Sequence, residues 1–512
     1  MPLTDFDRDH CPCVGGEFDY TVVGAGAAGI MIAVELARRG RKVMLIESGH
    51  FLIDSERQKF NAVEQAGKVL GTALWGRYRA IGGTTLRWGG QSLPFSAIDF
   101  KKRDWVENSG WPVSLGDLQT YYERANAFLG VDGLDYRRDM FQRFGDQINN
   151  LNSALDFHYS KWSPHPDFQR RYLRDLKKSV SVLFNAMTTR MHTDANGRVV
   201  GLSVANYSGR SVKIVVNRVV ITAGAIEANR LLLANREPNG VCIGDHSGWL
   251  GRCFMEHPCV TAGVVEPRDP WQFQKSFNTR LSGGRKFSRR LSLSEKFQRE
   301  ACITQASAGF LVAFPSGVKD RCGKAAGLDR RAVDWSRLIL SRGKVHALVA
   351  WAFLWHRFVY KHSAQISVAI MLEQEPIRSS CITLSAEKDS FGVSKARVCW
   401  DISKKSWQAM CALSDLIKVE LPRLDLGTYS PFGHIKIDNP EWKEHLHDVN
   451  HHMGGTRMSF RASEGVVDSD LRVWGYENLF VVSTSVFPTG SHSNPTLTML
   501  ALGQRWVRRE AG

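Results

Sequence analysis

No apolar run in the sequence approaches the roughly 18 to 20 residues that span a bilayer. The longest of note, ALVAWAFLW at 347–355, is half that length. A disulfide or zinc framework is missing as well. The ten cysteines are scattered, and the one close pair, Cys11 and Cys13, matches neither the CxxC redox spacing nor a zinc knuckle. Such usage predicts reduced thiols. The first sixteen residues, MPLTDFDRDHCPCVGG, are polar and acidic and lack the apolar centre of an export leader. Together these absences predict a cytoplasmic protein. Repeats and low-complexity tracts are also absent, leaving an ordinary globular composition over 512 residues, enough for roughly two to four domains.

Acidic residues are in short supply: 67 Lys and Arg face 51 Asp and Glu, a net charge of +16. The excess is concentrated. From Lys319 to Lys361 there are ten basic residues against Asp320, Asp329 and Asp334, interleaved with large apolar residues at roughly helical spacing. Two readings follow: an amphipathic helix packed on the protein's own core with a solvated basic face, or peripheral contact with an anionic membrane through 319–361. No recognition motif accompanies the charge, which argues against nucleic acid as a partner.

The most readable element is FDYTVVGAGAAGIMIAVELARRGRKVMLIESG, residues 18–49. A β-prone run, Tyr20 to Val23, leads into Gly24, Gly26 and Gly29 in GxGxxG spacing. An amphipathic helix follows, then a second β-run ending in Glu47. Gly24 permits the tight turn, Gly26 lets a pyrophosphate approach the backbone, and Gly29 allows helix and strand to pack closely. The helix start, at Ala28, offers free N–H groups and a positive dipole end to phosphates. Glu47 is placed to accept hydrogen bonds from ribose hydroxyls. With strand, helix, second strand and terminal acid in order, this is a dinucleotide cradle.

NAD and FAD both use such a cradle, and two features favour the flavin. AIGGTTLRWGGQ (80–91) is a second glycine-rich loop, fit to lie against a large extended cofactor. RVVITAGAIEANRLLLAN (218–235) returns the chain to the nucleotide fold long after the first βαβ unit. Splitting a nucleotide domain across distant segments is common in two-domain flavoproteins.

These motifs, with GWPVSLGDLQTYYERANAFLGV (110–131), LGRCFMEHP (250–258), HHMGGTRM (451–458) and VVDSDLRVWGYENLFVVSTSVFPTGSHSNPTLTMLALGQ (466–504), resemble the glucose–methanol–choline (GMC) oxidoreductases over almost the full length. The GGTxRM and NPTLT wording is most similar to the branch of pyranose oxidase and the membrane-associated sugar dehydrogenases. The resemblance implies an α/β plus α+β protein. A Rossmann-like FAD-binding domain would comprise 17–95, 195–260 and 440–510. A substrate domain with connecting segments, 96–194 and 261–439, would be built on an antiparallel sheet and helices. SAQISVAIMLEQEP (363–376) and SCITLS (380–385) read as strands of that sheet.

The resemblance also implies roles. Gly82, Gly83, Thr84, Arg87 and Trp88 of the second loop, Ala223 and Gly224 of the third segment, and Pro495 and Thr496 would meet the cofactor. In relatives with covalent flavin a histidine of the second loop is attached to the ring; here that position is Arg87, so the expectation is non-covalent FAD. Ser483 stands where many members have Asp, which weakens one expected cofactor contact. Alcohol oxidation needs a base for the hydroxyl proton while a hydride leaves for the flavin, and a neutral imidazole suits that task. Family matching places the base four residues before the Thr of GGT, at His452, with Asn494 as its hydrogen-bonding partner. His451 is its neighbour in the wall, and His492 is a second-choice partner. No Cys, Asp or Glu completes a metal set around HHMGG, so no metal is expected.

The implied activity is FAD-dependent oxidation of an alcohol, on a sugar, aminosugar or glycoside. The electron acceptor is open among oxygen, a quinone and a redox protein. The alternatives are a dehydrogenase of a lipid-linked or membrane-proximal alcohol, and a flavin-binding protein without turnover.

Overall fold

The computed structural model describes residues 3–9, 17–145, 151–313, 350–354, 357–361 and 364–512. Most of the basic 319–361 segment lies outside the described residues. Among the described residues, no helix is long and apolar enough to cross a membrane.

Four sheets organise the chain. The first is six-stranded and wholly parallel, in the order Leu3–Asp5, Ser181–Phe184, Val43–Ile46, Tyr20–Val23, Arg218–Ile221, Leu479–Val481. Three of its strands read YTVV, VMLI and LFV with every residue buried, as expected of a parallel sheet covered on both faces. Two of its strands, Leu3–Asp5 and Ser181–Phe184, come from outside the three segments expected to build the nucleotide domain.

Helix Ala27–Arg38 crosses between Tyr20–Val23 and Val43–Ile46, and the C-terminal helix Pro495–Ala511 packs against it. That last helix also packs on Leu115–Leu129, whose ends are marked in the sequence. Ser114 and Asp117 form a capping box at its start, and Gly130, at φ 74°, ends it in a left-handed cap.

The largest sheet runs Gly427–Pro431, Cys259–Pro267, Gln365–Leu372, Ala306–Ala313, Arg285–Leu293, Leu155–Trp162, Gln91–Ser92, with Arg280–Ser282 paired to Arg285–Leu293. All its described pairings are antiparallel. The long helix Lys404–Arg423 packs against it, and the fully buried pair Arg103–Glu373 joins the end of Gln365–Leu372 to the chain after the second glycine loop.

One expectation needs correction. The run around SCITLS forms the strand Cys381–Lys388, but it does not join this sheet. It pairs with Arg252–Met255 and Ser394–Trp400 in a separate five-stranded sheet that also holds Met453–Gly455. The backbone bonds that settle this are Ile382 N–H to Gly251 O and Gly251 N–H to Gly455 O, both 2.7 Å. Strand propensity says nothing of the partner; long-range pairing decides it.

Candidate active site

At the first glycine motif, Gly24 holds a φ of 106° and helix Ala27–Arg38 starts at Gly26 without a side-chain cap or an acidic residue in its first turn. Its leading N–H groups are therefore free for an anion. A methyl group on Gly26 would meet nothing within 4 Å, because the residue faces open space; one on Gly29 would strike the Gly24 carbonyl oxygen and the Thr222 hydroxyl. Glu47 is buried at the end of its strand, its oxygens accepting from Ala25 N–H and Gly49 N–H at 2.8 Å each. Oε1 also accepts from the Ser48 hydroxyl at 3.2 Å, and Oε2 keeps a lone pair for a ribose hydroxyl. Burial raises its pKa above the usual carboxylate value, and the two backbone bonds work against that rise.

The second glycine loop lies directly on the first. Gly82 N–H donates to Ala25 O at 2.8 Å, and a Cβ on Gly83 would stand 2.9 Å from the Gly26 Cα. The third segment closes against both, with the Thr222 hydroxyl donating to Gly24 O at 2.7 Å. The three segments enclose a cavity of about 520 Å3. Gly24, Gly26, Ala28, Glu47, Gly83, Thr84, Arg87, Trp88, Ala223 and Gly224 line it, with His452, Asn494, Pro495 and Thr496 from the C-terminal segment. Gly29 and Gly82 are not in its wall: Gly29 serves the packing beneath, and Gly82 turns the chain at φ 101°. Free helix N–H groups, a terminal carboxylate and a glycine-lined trough fit the pyrophosphate and ribose of a dinucleotide. Glu227 stands at the cavity with Arg77, Arg79 and Arg230 around it, and these guanidiniums hold its carboxyl well below the usual range despite burial.

The C-terminal segment supplies the polar end of the cavity. Asn494 precedes helix Pro495–Ala511, where an asparagine normally caps its own helix. Here it does not; its side-chain amide sits 3.0 Å from His451 Nε2. His451 Nδ1 in turn lies 2.9 Å from His257 Nδ1, and His257 Nε2 lies 3.1 Å from the Gly490 carbonyl oxygen. A carbonyl can only accept, so His257 donates from Nε2 and accepts at Nδ1. His451 then donates from Nδ1, accepts at Nε2, and requires the amide N–H of Asn494 as its donor. One backbone carbonyl thus sets two tautomers and one amide orientation.

His452 faces differently. Its Nε2 is 3.2 Å from the Thr72 hydroxyl oxygen and 3.6 Å from Glu256 Oε2, and its ring stacks on Phe254. Thr72 donates its hydroxyl proton to the Asp448 carboxylate, so its oxygen accepts from His452 Nε2–H. That leaves Nδ1 as the free acceptor of His452. The structure therefore brings both predicted residues to the same cavity, but Asn494 bonds to His451 and not to His452.

Burial is the first cause of every shift in this group. It pulls His452 down to about 3, with Arg77 adding to it, and His257 to about 4; His451 also lies well below its ordinary value. All three imidazoles are neutral at pH 7. Burial pushes Glu256 up to about 8, although Oε1 accepts from His257, Val449 and His451 N–H groups; Oε2 is buried without a partner. Thr72, Glu256, His257 and Asp448 were not expected from the sequence as site residues. Glu256 and His257 do stand in the LGRCFMEHP motif, and two adjacent ionisable residues in an otherwise apolar run were the available signal.

Comparison with known proteins finds relatives over nearly the whole chain. A family model for FAD dependent oxidoreductases matches residues 19–240, and the GMC oxidoreductase model matches 376–503. The 2-methyl-1,2-propanediol dehydrogenase of Mycolicibacterium austroafricanum is 23% identical, covering 95% of this chain and 94% of its own. The fructose dehydrogenase large subunit of Gluconobacter japonicus is 22% identical, covering 95% and 96%. Among solved structures, pyridoxine 4-oxidase from Mesorbium loti shares the fold, with a TM-score of 0.58 at 16% identity over 96% of this chain and 99% of its own. The cradle, the cavity and these matches define an FAD-dependent oxidoreductase. Within that class the chain is similar to the GMC oxidoreductases.

Proposed function

We propose that this protein oxidises an alcohol group on a sugar, aminosugar or glycoside, with His452 taking the hydroxyl proton. The observation that carries the reading is a neutral, buried imidazole with a free Nδ1 at the same cavity end as Asn494. Bound FAD supplies the hydride acceptor. His452 Nδ1 receives the hydroxyl proton, while the Thr72 hydroxyl accepts from Nε2–H and fixes the ring. Asn494, oriented by His451, keeps its second amide N–H to donate to the hydroxyl oxygen as the proton leaves. Relatives named for 2-methyl-1,2-propanediol and fructose support a small hydroxylated donor.

The cofactor is held without a covalent bond, because Arg87 stands in the cavity wall where an attachment histidine would be. Acid precipitation leaves a yellow supernatant on this reading, whereas a yellow pellet refutes it. The reading also divides the chain: 17–95, 195–260 and 440–510 bind FAD, supported by Tyr20–Val23, Arg218–Ile221 and Leu479–Val481 lying side by side in one sheet. The test of function is anaerobic bleaching of the purified yellow protein by a panel of sugars and glycosides, followed by reoxidation with oxygen or a quinone. A flavin that stays oxidised with every donor would make this a flavin-binding protein without turnover.

A further inference from the structure

Beyond Asn494 the antiparallel sheet carries a polar face that the cavity lining does not include. Arg290 and His158 are cross-strand partners on it, so their side chains share that face. His158 Nδ1 lies 3.4 Å from the Ser292 hydroxyl, and its ring lies 5.1 Å from that of His492, two residues before Asn494. The surrounding side chains are small. Gly309 runs under the guanidinium, where a Cβ would stand 3.4 Å from its central carbon, and Gly309 pairs with Ala369 on the next strand.

Among the described residues, no hydrogen bond or carboxylate reaches Arg290, and its Nε is buried and unbonded. His158 Nε2 and both ring nitrogens of His492 are likewise buried without partners. Burial holds both histidines neutral, so the face carries one unopposed positive charge. Arg290 is half-buried, and a guanidinium partly withdrawn from water without a counter-charge favours a ligand that brings one. Its planar fork matches a carboxylate, and one positive charge matches one carboxylate.

We propose that Arg290, with His158 and His492, forms an anion subsite, and that the alcohol oxidised here is a sugar acid whose carboxylate Arg290 holds while its hydroxyl reaches His452 and Asn494. This rests on the alcohol oxidation proposed above.

The test uses the holoenzyme, Arg290→Met and Arg290→Lys. Galacturonate reduces the flavin at lower concentration than galactose; in Arg290→Met its KM rises roughly thirtyfold or more, while Arg290→Lys recovers part of the loss. Equal KM values for the two donors, or an unchanged KM in Arg290→Met, overturn the proposal. Preference for galactose 6-phosphate over galacturonate overturns the carboxylate assignment.

Binding is read separately from turnover by thermal shift with cyclohexanecarboxylate and its neutral carboxamide, neither of which has a hydroxyl to oxidise. Only the carboxylate raises the melting temperature, and only with Arg290 present. If that holds while no donor bleaches the flavin, the subsite stands and the alcohol oxidation falls. Without ligand, Arg290→Met melts no lower than wild type; a large drop would show Arg290 to be structural and overturn the proposal.

Discussion

At His452 the decisive feature is which ring nitrogen is free. Nε2 is engaged by Thr72 and approached by Glu256, so Nδ1 is left to accept a proton. His451 has no free nitrogen: one bonds Asn494 and the other His257. On the proposed mechanism the two neighbours do different work, His452 on the substrate and His451 on the orientation of Asn494. His452→Ala keeps the protein yellow and slows anaerobic flavin reduction by roughly a hundredfold to ten-thousandfold, the range for a lost general base. His451→Phe frees Asn494 and costs less than His452→Ala. Stopped-flow reduction of the two variants decides the matter, and the reverse ranking would move the base to His451.

Between elements, the closest contacts are made by glycines, and two in one motif serve opposite ends. Gly26 faces open cavity, so Gly26→Val folds with an unchanged circular dichroism spectrum yet purifies colourless, the pyrophosphate being blocked. Gly29 sits under the Gly24 carbonyl, so Gly29→Val disturbs helix packing and lowers the melting temperature. If both variants lose only colour, the packing role of Gly29 is wrong. The GxGxxG spacing made both glycines visible in the sequence, as the cap residues did for Leu115–Leu129. The touch of Gly83 on Gly26 was not visible, because it depends on where a distant loop lands. The same holds for Cys381–Lys388, read as a strand but with nothing in the sequence to choose its sheet, and for Asn494, expected beside His452 while its amide is spent on His451. Local periodicity and caps are written in short stretches; side-chain partners across the fold are not.

Over the whole molecule, the buried histidines set the pH range in which the fold holds. His158, His257, His451, His452 and His492 all have pKa values pulled below 6.5 by burial first. Below about pH 6.5 the unfolded chain takes up protons at these histidines that the folded protein refuses. Stability therefore falls with pH, by about 1.4 kcal/mol per pH unit for each such proton. Glu256, at about 8, and Asp99, at about 6, are raised by burial and act in the opposite sense, as do Glu47 and Glu510. Four carboxyls do not offset five histidines, so the acid limb descends. From about pH 6.5 to 8 the balance changes: the folded protein keeps the Glu256 proton that the unfolded chain has lost, and stability falls as pH rises through the folded pKa. Urea unfolding of the holoprotein should thus show a maximum near neutrality with a steeper acid side. Glu256→Gln, which cannot ionise, steepens the acid limb and flattens the limb between pH 6.5 and 8. A profile level from pH 5 to 8 would mean that these side chains are hydrated in the folded protein, and the free Nδ1 assigned to His452 would lose its basis.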